Sequence, residues 1–224
     1  MSGTSDVLFV AATGKEISGL TGGSLLPAGW QRSPSHEHVH FLVTGVGMAA
    51  TCARLSAVLA VHPFRRVINV GLCGSLRSEI SPPAVLEVVR DEFVDLGVQD
   101  HEAFLSVFDL QLTDRNEFPF ENGFLTGSGG VERLPFPGVT GCTVNCAHGH
   151  GPSIAALKGR TDAMVESMEG AAVFYSCRLA SVPCIQLRAV SNFVEPRNRA
   201  SWKVEEALSA LWGGIKEHWE IITT

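Results

Sequence analysis

Six short apolar runs recur along the 224-residue chain: VLFVAA at 7–12, VHFLVTGVG at 39–47, RVINVGLCG at 66–74, AVLEVVRDEFVDL at 84–96, AMVES at 163–167 and CIQLRAVSN at 184–192. Several are continuously apolar rather than alternating, the pattern of a strand covered on both faces. Between them, GMAATCARLSAVLAVH at 47–62 and MEGAAVFYSCRLA at 168–180 read as helices. A further helix is predicted from Ser201 onward, where Trp202, Leu208, Leu211, Trp212 and Ile215 recur at helical spacing and the tryptophans read as core anchors. Strand and helix alternate over the whole length, which predicts an α/β fold of three layers, α/β/α, around a central mixed, mainly parallel sheet. Residues 97–137 break the rhythm with turn formers (DHEAF, TDRNEFPFENG, GSGGVERLPFPG) and predict a long loop or hairpin excursion. Without an internal repeat or a linker-like stretch, residues 1–224 are expected to form one domain.

Composition narrows the function classes. The formal charge is -6 and the longest basic cluster is FRR at 64–66, which argues against nucleic acid as a partner and for small-molecule chemistry. No apolar run approaches the roughly 18 residues of a membrane span, and the start MSGTSDVLFVAATGKE carries no basic leader, so a cytoplasmic protein is expected. The six cysteines show no disulfide spacing and read as thiols in apolar surroundings. Cys142, Cys146, His148 and His150 in CTVNCAHGHG have neither Cys-x-x-Cys nor His-x-x-x-His spacing, and a strand leading into a Gly-rich loop is the better reading than a metal site.

Ligands of open α/β sheets sit beyond the carboxyl ends of the strands. Five predicted strands end in ATGKE (12–16), TGVGM (44–48), NVGLCGSL (69–76), ESME (166–169) and RAVSN (188–192), which would converge on one pocket. Singly each is weak: GVG lacks the spacing of a dinucleotide fingerprint, and GLCGS lacks the lysine of a phosphate loop. Glu169 opens a helix of small and apolar residues, so its carboxylate is either an end cap or part of a site. Glu16 is open to the same two readings.

In combination and in order, ATGKEISGL, TGVGMAAT, VINVGLCGSL, VESMEGAA and RAVSN resemble the nucleoside phosphorylase and nucleosidase superfamily, notably the purine nucleosidases that cleave methylthioadenosine and adenosylhomocysteine. The resemblance implies a nucleoside phosphorylase-like fold, a nucleoside substrate, a homodimer or higher homo-oligomer, and no metal or organic cofactor. It tips Glu16 toward general base for the attacking water and Glu169 toward the ribose hydroxyls, a role two carboxylate oxygens at a helix N-terminus suit. Met168 is then placed against the sugar or base, Gly74 offers backbone contacts beside the base, Arg188 braces Glu169 or the sugar, and Val144 belongs to the substrate-binding set. Glu166 either points to the far side of its strand or shares the site.

Two departures bear on specificity. The adenine-cleaving nucleosidases carry an aspartate after the serine of the last strand, where this chain has Asn192; a neutral amide can donate to N7 and to the 6-oxo group of hypoxanthine. Leu72 replaces a serine, and no arginine accompanies the TGVGM turn in sequence, which favours hydrolysis over phosphorolysis. The tail RAVSNFVEPRNRASW resembles the futalosine hydrolases, whose substrate carries a benzoate that Arg197 or Arg199 would meet. The resemblance thus implies release of hypoxanthine from futalosine in menaquinone biosynthesis, with Glu16 and Asn192 catalytic. The alternatives are a methylthioadenosine, adenosylhomocysteine or aminodeoxyfutalosine nucleosidase, a purine nucleoside phosphorylase, and a non-catalytic nucleoside-binding protein.

Overall fold

The computed structural model describes residues 5–127 and 134–223. In chain order its elements are β1 (Val7–Ala11), α1 (Gly14–Ile17), β2 (Gly29–Arg32), β3 (Val39–Val43), α2 (Met48–Val61), β4 (Arg66–Ser75), β5 (Val85–Asp91), β6 (Gly97–Asp100), β7 (Ala103–Ser106), β8 (Leu125–Thr126), β9 (Gly138–Thr143), α3 (Gly151–Arg160), β10 (Val165–Ser167), α4 (Gly170–Leu179), β11 (Cys184–Phe193), α5 (Val204–Glu217) and α6 (Trp219–Thr223). All six apolar runs contain strands. The C-terminal helical stretch divides into a 3-10 turn at Arg199–Ser201, then α5 and α6, so Trp202 lies outside the regular helix.

The principal sheet runs β10-β9-β5-β11-β4-β1-β3-β2, with β8 added to β5. Pairings β1–β3, β1–β4, β4–β11, β5–β9 and β9–β10 are parallel, and β2–β3, β5–β8, β5–β11 and β4–β10 are antiparallel. Because β10 bonds to both β9 and β4, the strands β4, β11, β5, β9 and β10 close into a ring. The sheet is mixed and partly closed, with little excess of parallel pairs among the described residues. The closure is invisible in the sequence because β10 is only three residues long and makes its second, antiparallel pairing over two of them.

Alternation along β1 builds the layers. Val7, Phe9 and Ala11 face one side with Val39, Phe41 and Val43 of β3, under Ala207, Leu211 and Ile215 of α5 and Ile222 of α6. Leu8 and Val10 face the other side with Leu42, under Leu55 and Val58 of α2 and Ala171, Val173 and Phe174 of α4. Each large apolar side chain buried this way contributes about 1.5–3 kcal/mol, so the sheet is held from both faces. The ring has its own core of Cys73, Leu86, Val88, Val139, Val165 and Val190, drawn from all five strands. Helix α3 was not predicted: it starts GPS, and only Ile154 and Leu157 are buried, a weak periodicity for ten residues. The excursion contains the antiparallel hairpin β6–β7 and the short β8, and its residues 128–133 lie outside the described residues.

Candidate active site

A cavity of about 430 Å³ opens at the carboxyl ends of the strands. All five expected strand ends reach it, through Ala12, Thr13, Lys15 and Glu16, Val46, Leu72 to Gly74, Glu166 to Glu169 and Ser191 to Phe193. The end of β9 adds Ala147 and His148, and the approach to α5 adds Arg197 and Trp202.

Glu16 divides its two oxygens between fold and cavity. Oε2 accepts from the backbone N and the Oγ1 of Thr13, both at 2.8 Å, which locks the start of α1. Oε1 accepts from the Leu72 N–H at 3.3 Å and faces Gly71 on β4, next to β11. There Gly71 is required by crowding: a Cβ would lie 2.3 Å from Arg188 Nη1 and 2.8 Å from Glu16 Oε1. The neighbouring Lys15 points out to Glu205 at the surface, 2.5 Å away. Helix α5 supports this corner through Trp212, whose indole N–H donates to the Glu16 carbonyl at 2.8 Å.

Glu169 is the N-cap of α4 and is buried. Its Oε1 accepts from the Gly47 N–H at 2.9 Å, across from the turn after β3, where Gly47 has φ 94°, a left-handed conformation that favours glycine. The helix start was expected to favour the ionised form. Burial outweighs it and pushes the carboxyl above its ordinary value, with Glu16 adding to the rise and Arg188 and the Gly47 N–H opposing it. Arg188 is fully buried beneath the cavity floor, and its Nε and Nη2 have no hydrogen-bond partner among the described residues.

Asn192 lies on the wall with its amide oriented on both sides: Oδ1 accepts from Ser191 Oγ at 2.7 Å, and Nδ2 donates to the Phe193 carbonyl at 2.8 Å. Gly74 pairs with Asn192 on β11 and with Glu166 on β10, so these three line one stretch of wall, and the glycine leaves room for the Val194 side chain, whose Cγ2 would lie 2.8 Å from a Cβ there. Met168 lines the cavity and packs against the apolar cluster that includes Val144 and Leu157. Val144 itself is completely buried and is not among the lining residues, so it backs Met168 rather than facing the cavity.

Glu166 faces the cavity side. Its Oε1 accepts from the His148 backbone N–H at 3.0 Å and its Oε2 bonds His148 Nδ1 at 2.5 Å. His148 carried no predicted role; the signal was its place at the end of an apolar run, but its partner is 18 residues away. Arg197 lies on the wall with its guanidinium over the Trp202 ring at 5.3 Å, so this tryptophan lines the cavity rather than anchoring the core. Arg199 is exposed in the 3-10 turn and away from the wall. Helix α2 does bring an arginine to the TGVGM turn: Arg54 Nη1 donates to the Thr44 carbonyl. Sequence order hid this because the arginine comes ten residues after the carbonyl. Arg54 is exposed and does not line the cavity.

The CTVNCAHGHG motif is dispersed: Cys142 is buried in the core beside α3, Cys146 is exposed, His148 holds Glu166, and His150 caps α3. A different group, Asp6, His40 and His62, brings three possible ligand atoms within 4.8 Å of one another. Its hydrogen bonds oppose a metal. The Trp30 indole donates to His40 Nδ1 at 3.1 Å, which puts the ring proton on Nε2, the nitrogen 3.1 Å from Asp6 Oδ2; a protonated nitrogen does not ligate. Burial works to raise the Asp6 carboxyl, yet bonds from His38, His62 and His40 hold it below its ordinary value.

Comparison with known proteins places the chain in a family. The phosphorylase superfamily model matches residues 34–211. A futalosine hydrolase of Streptomyces coelicolor is 32% identical over 196 residues, covering 85% of this chain and 78% of that protein. The crystal structure of Helicobacter pylori 5'-methylthioadenosine/S-adenosyl homocysteine nucleosidase superposes with a TM-score of 0.79 at 15% identity, over 98% of this chain and 99% of that one. The native structure of futalosine hydrolase of Helicobacter pylori strain 26695 gives 0.76 at 16% identity, over 97% and 98%. With the strand-end cavity, its paired glutamates and these relatives in view, the chain belongs to the phosphorylase superfamily and, within it, to the futalosine hydrolase family.

Proposed function

We propose that this chain hydrolyses the N-glycosidic bond of futalosine, releasing hypoxanthine and dehypoxanthine futalosine in menaquinone biosynthesis. The observation that carries the reading is that Glu16, Glu169 and Asn192, from three separate strand ends, line one cavity. Departure of the purine leaves an oxocarbenium-like sugar, so the site must hold the ribose, activate water and stabilise the leaving base. Glu169 accepts from the ribose hydroxyls. Glu16 has one oxygen committed to Thr13 and uses Oε1 to take the proton of the attacking water. Arg188 braces Glu169 or the sugar, and its charge opposes the burial cost of Glu169. The free N–H of the Asn192 amide stabilises the departing base at N7 or the 6-oxo group. Met168 packs against the sugar, and the Gly74 backbone runs beside the base.

The basic side chains on the cavity wall favour hydrolysis. Among the described residues they are Lys15, which is paired with Glu205, and Arg197 and His148 at the other end, an arrangement poor for inorganic phosphate. Arg197 instead suits the benzoate of futalosine. Purified protein in phosphate-free buffer should release hypoxanthine from futalosine and little adenine from the 6-amino counterpart or methylthioadenosine, as read by chromatography of the free base. Release only after phosphate is added would overturn the hydrolytic reading. Loss of a charge-assisted bond of about 1.5–3 kcal/mol predicts that Arg197→Ala raises the futalosine KM roughly 10- to 100-fold; an unchanged KM would remove Arg197 from the substrate site.

The same reading makes the active form a homodimer or higher homo-oligomer. It is supported by an apolar groove formed by Cys52, Phe93, Leu96, Val107, Leu112 and Phe120, in which Leu112 is 70% exposed. Cytoplasmic placement is supported by six cysteines that are all free thiols.

A further inference from the structure

We propose that His148 and Glu166 form the part of the site that reads N1 of the purine, and that they, together with Asn192, set the preference for a 6-oxo base. This inference rests on the nucleosidase reading above and adds to it the atom by which the base is chosen.

The placement comes from register. Gly74 pairs with Asn192 on one side and with Glu166 on the other, and all three line the same cavity wall, with the Val194 side chain packed in at the glycine. A purine laid along that wall presents N7, the 6-substituent and N1 in succession. With the N7 and 6-oxo edge toward Asn192, whose free N–H takes one of the two, the next polar atom toward Glu166 is N1.

The chemistry comes from the tautomer. Glu166 is buried, and its two oxygens accept from the His148 backbone N–H and from ring Nδ1 at 3.0 and 2.5 Å. A carboxylate on Nδ1 holds a proton there, and in the neutral ring this makes Nε2 a lone-pair acceptor. The His148 side chain is 11% exposed and lines the cavity, and Nε2 has no hydrogen-bond partner among the described residues. Hypoxanthine carries a hydrogen on N1 and meets that lone pair as a donor. Adenine has a lone pair at N1, so two acceptors would face each other across the cavity, an arrangement that rejects the wrong base.

The decisive variant is Glu166→Gln, which keeps size and shape. The amide oxygen can still accept from the His148 backbone, and the amide NH₂ then faces Nδ1. A donor at Nδ1 forces the ring proton to Nε2, turning the acceptor into a donor that suits adenine. The measurement is kcat/KM for futalosine and for its 6-amino counterpart, with a thermal melt to confirm folding. We expect the ratio of the two to fall at least 10-fold in Glu166→Gln, with turnover of the 6-amino substrate maintained or increased, and to fall less in His148→Ala, which removes the reader without inverting it. A folded Glu166→Gln protein with an unchanged ratio would overturn the inference, as would an equal loss on both substrates, which would show that the pair only holds the loop. These outcomes differ from failure of the underlying reading, which would appear as absence of base release from either substrate by the unaltered protein.

Discussion

Glu16 is at once a helix cap and a candidate general base. Read in sequence, those were competing explanations; in the fold they fall on different oxygens of one carboxylate, Oε2 on Thr13 and Oε1 beside Leu72. Glu169 shows the same economy as the N-cap of α4 that also reaches Gly47. Its electrostatics give a prediction. Burial raises the folded-state pKa of Glu169 above its unfolded value, so the stability this group contributes is fully present below the unfolded pKa and is lost as pH rises through the folded one. At neutral pH, Glu169→Gln should therefore melt no lower than the parent protein. On the proposal that the ionised carboxylate accepts the ribose hydroxyls, kcat/KM should fall about 100-fold or more, equivalent to two charge-assisted bonds. The acid limb of the parent's pH profile should also lie above that of an ordinary glutamate, near 4.3. A lower melting temperature, or activity retained, would count against this assignment. Glu16, Glu169 and Asn192 were legible as residues because each stands at the end of an apolar run. The His148 partnership with Glu166 was not, since it depends on where a loop returns.

At the scale of elements, the start of α4 is fixed by a buried polar chain. The Ala171 N–H donates to Thr143 Oγ1 at 2.8 Å, Thr143 donates to Asp91 at 2.9 Å, Gln186 donates to the other Asp91 oxygen at 2.9 Å, and Asn69 donates to Gln186 at 3.1 Å. This chain ties β9, β5, β11 and β4 to the helix whose first turn presents Glu169. Asp91 is completely buried, and burial raises its carboxyl despite the bonds from Gln186 and Thr143. Thr143→Val keeps the shape of the side chain but strands a buried N–H and takes one donor from Asp91. The cost should be about 2–4 kcal/mol, measurable as a lower urea midpoint with an unchanged slope. A change under about 0.5 kcal/mol would mean that water replaces the hydroxyl. The sequence marks these polar residues inside apolar strands without saying which meet, because they come from positions 69, 91, 143, 171 and 186.

At the scale of the whole molecule, the cavity and the apolar groove sit on a body whose sheet is packed between two helical layers. The groove between the hairpin excursion and the helices α2 and α4 is where a second copy is expected to dock. A charge placed there must be desolvated on association, so Leu112→Asp should shift the assembly to monomer at micromolar concentration. Light scattering after size exclusion reads this directly. A parent protein that is already monomeric under the same conditions would remove the groove from the argument.

What the sequence by itself determined is the set of buried strands, the helices α2, α4 and α5, and the order of the strand-end motifs, because continuous apolar runs and helical spacing are local signals. Family resemblance then attached chemistry to Glu16, Glu169 and Asn192. Only the tertiary structure decided the closure of β10 onto β4, the placing of Arg197 rather than Arg199 on the cavity wall, the arrival of Arg54 at the turn after β3, and the hold of Glu166 on His148. Each of these joins residues distant in the chain through strand register or a loop's return. No local pattern of apolar and polar positions encodes such a meeting; it follows from packing the layers into one core.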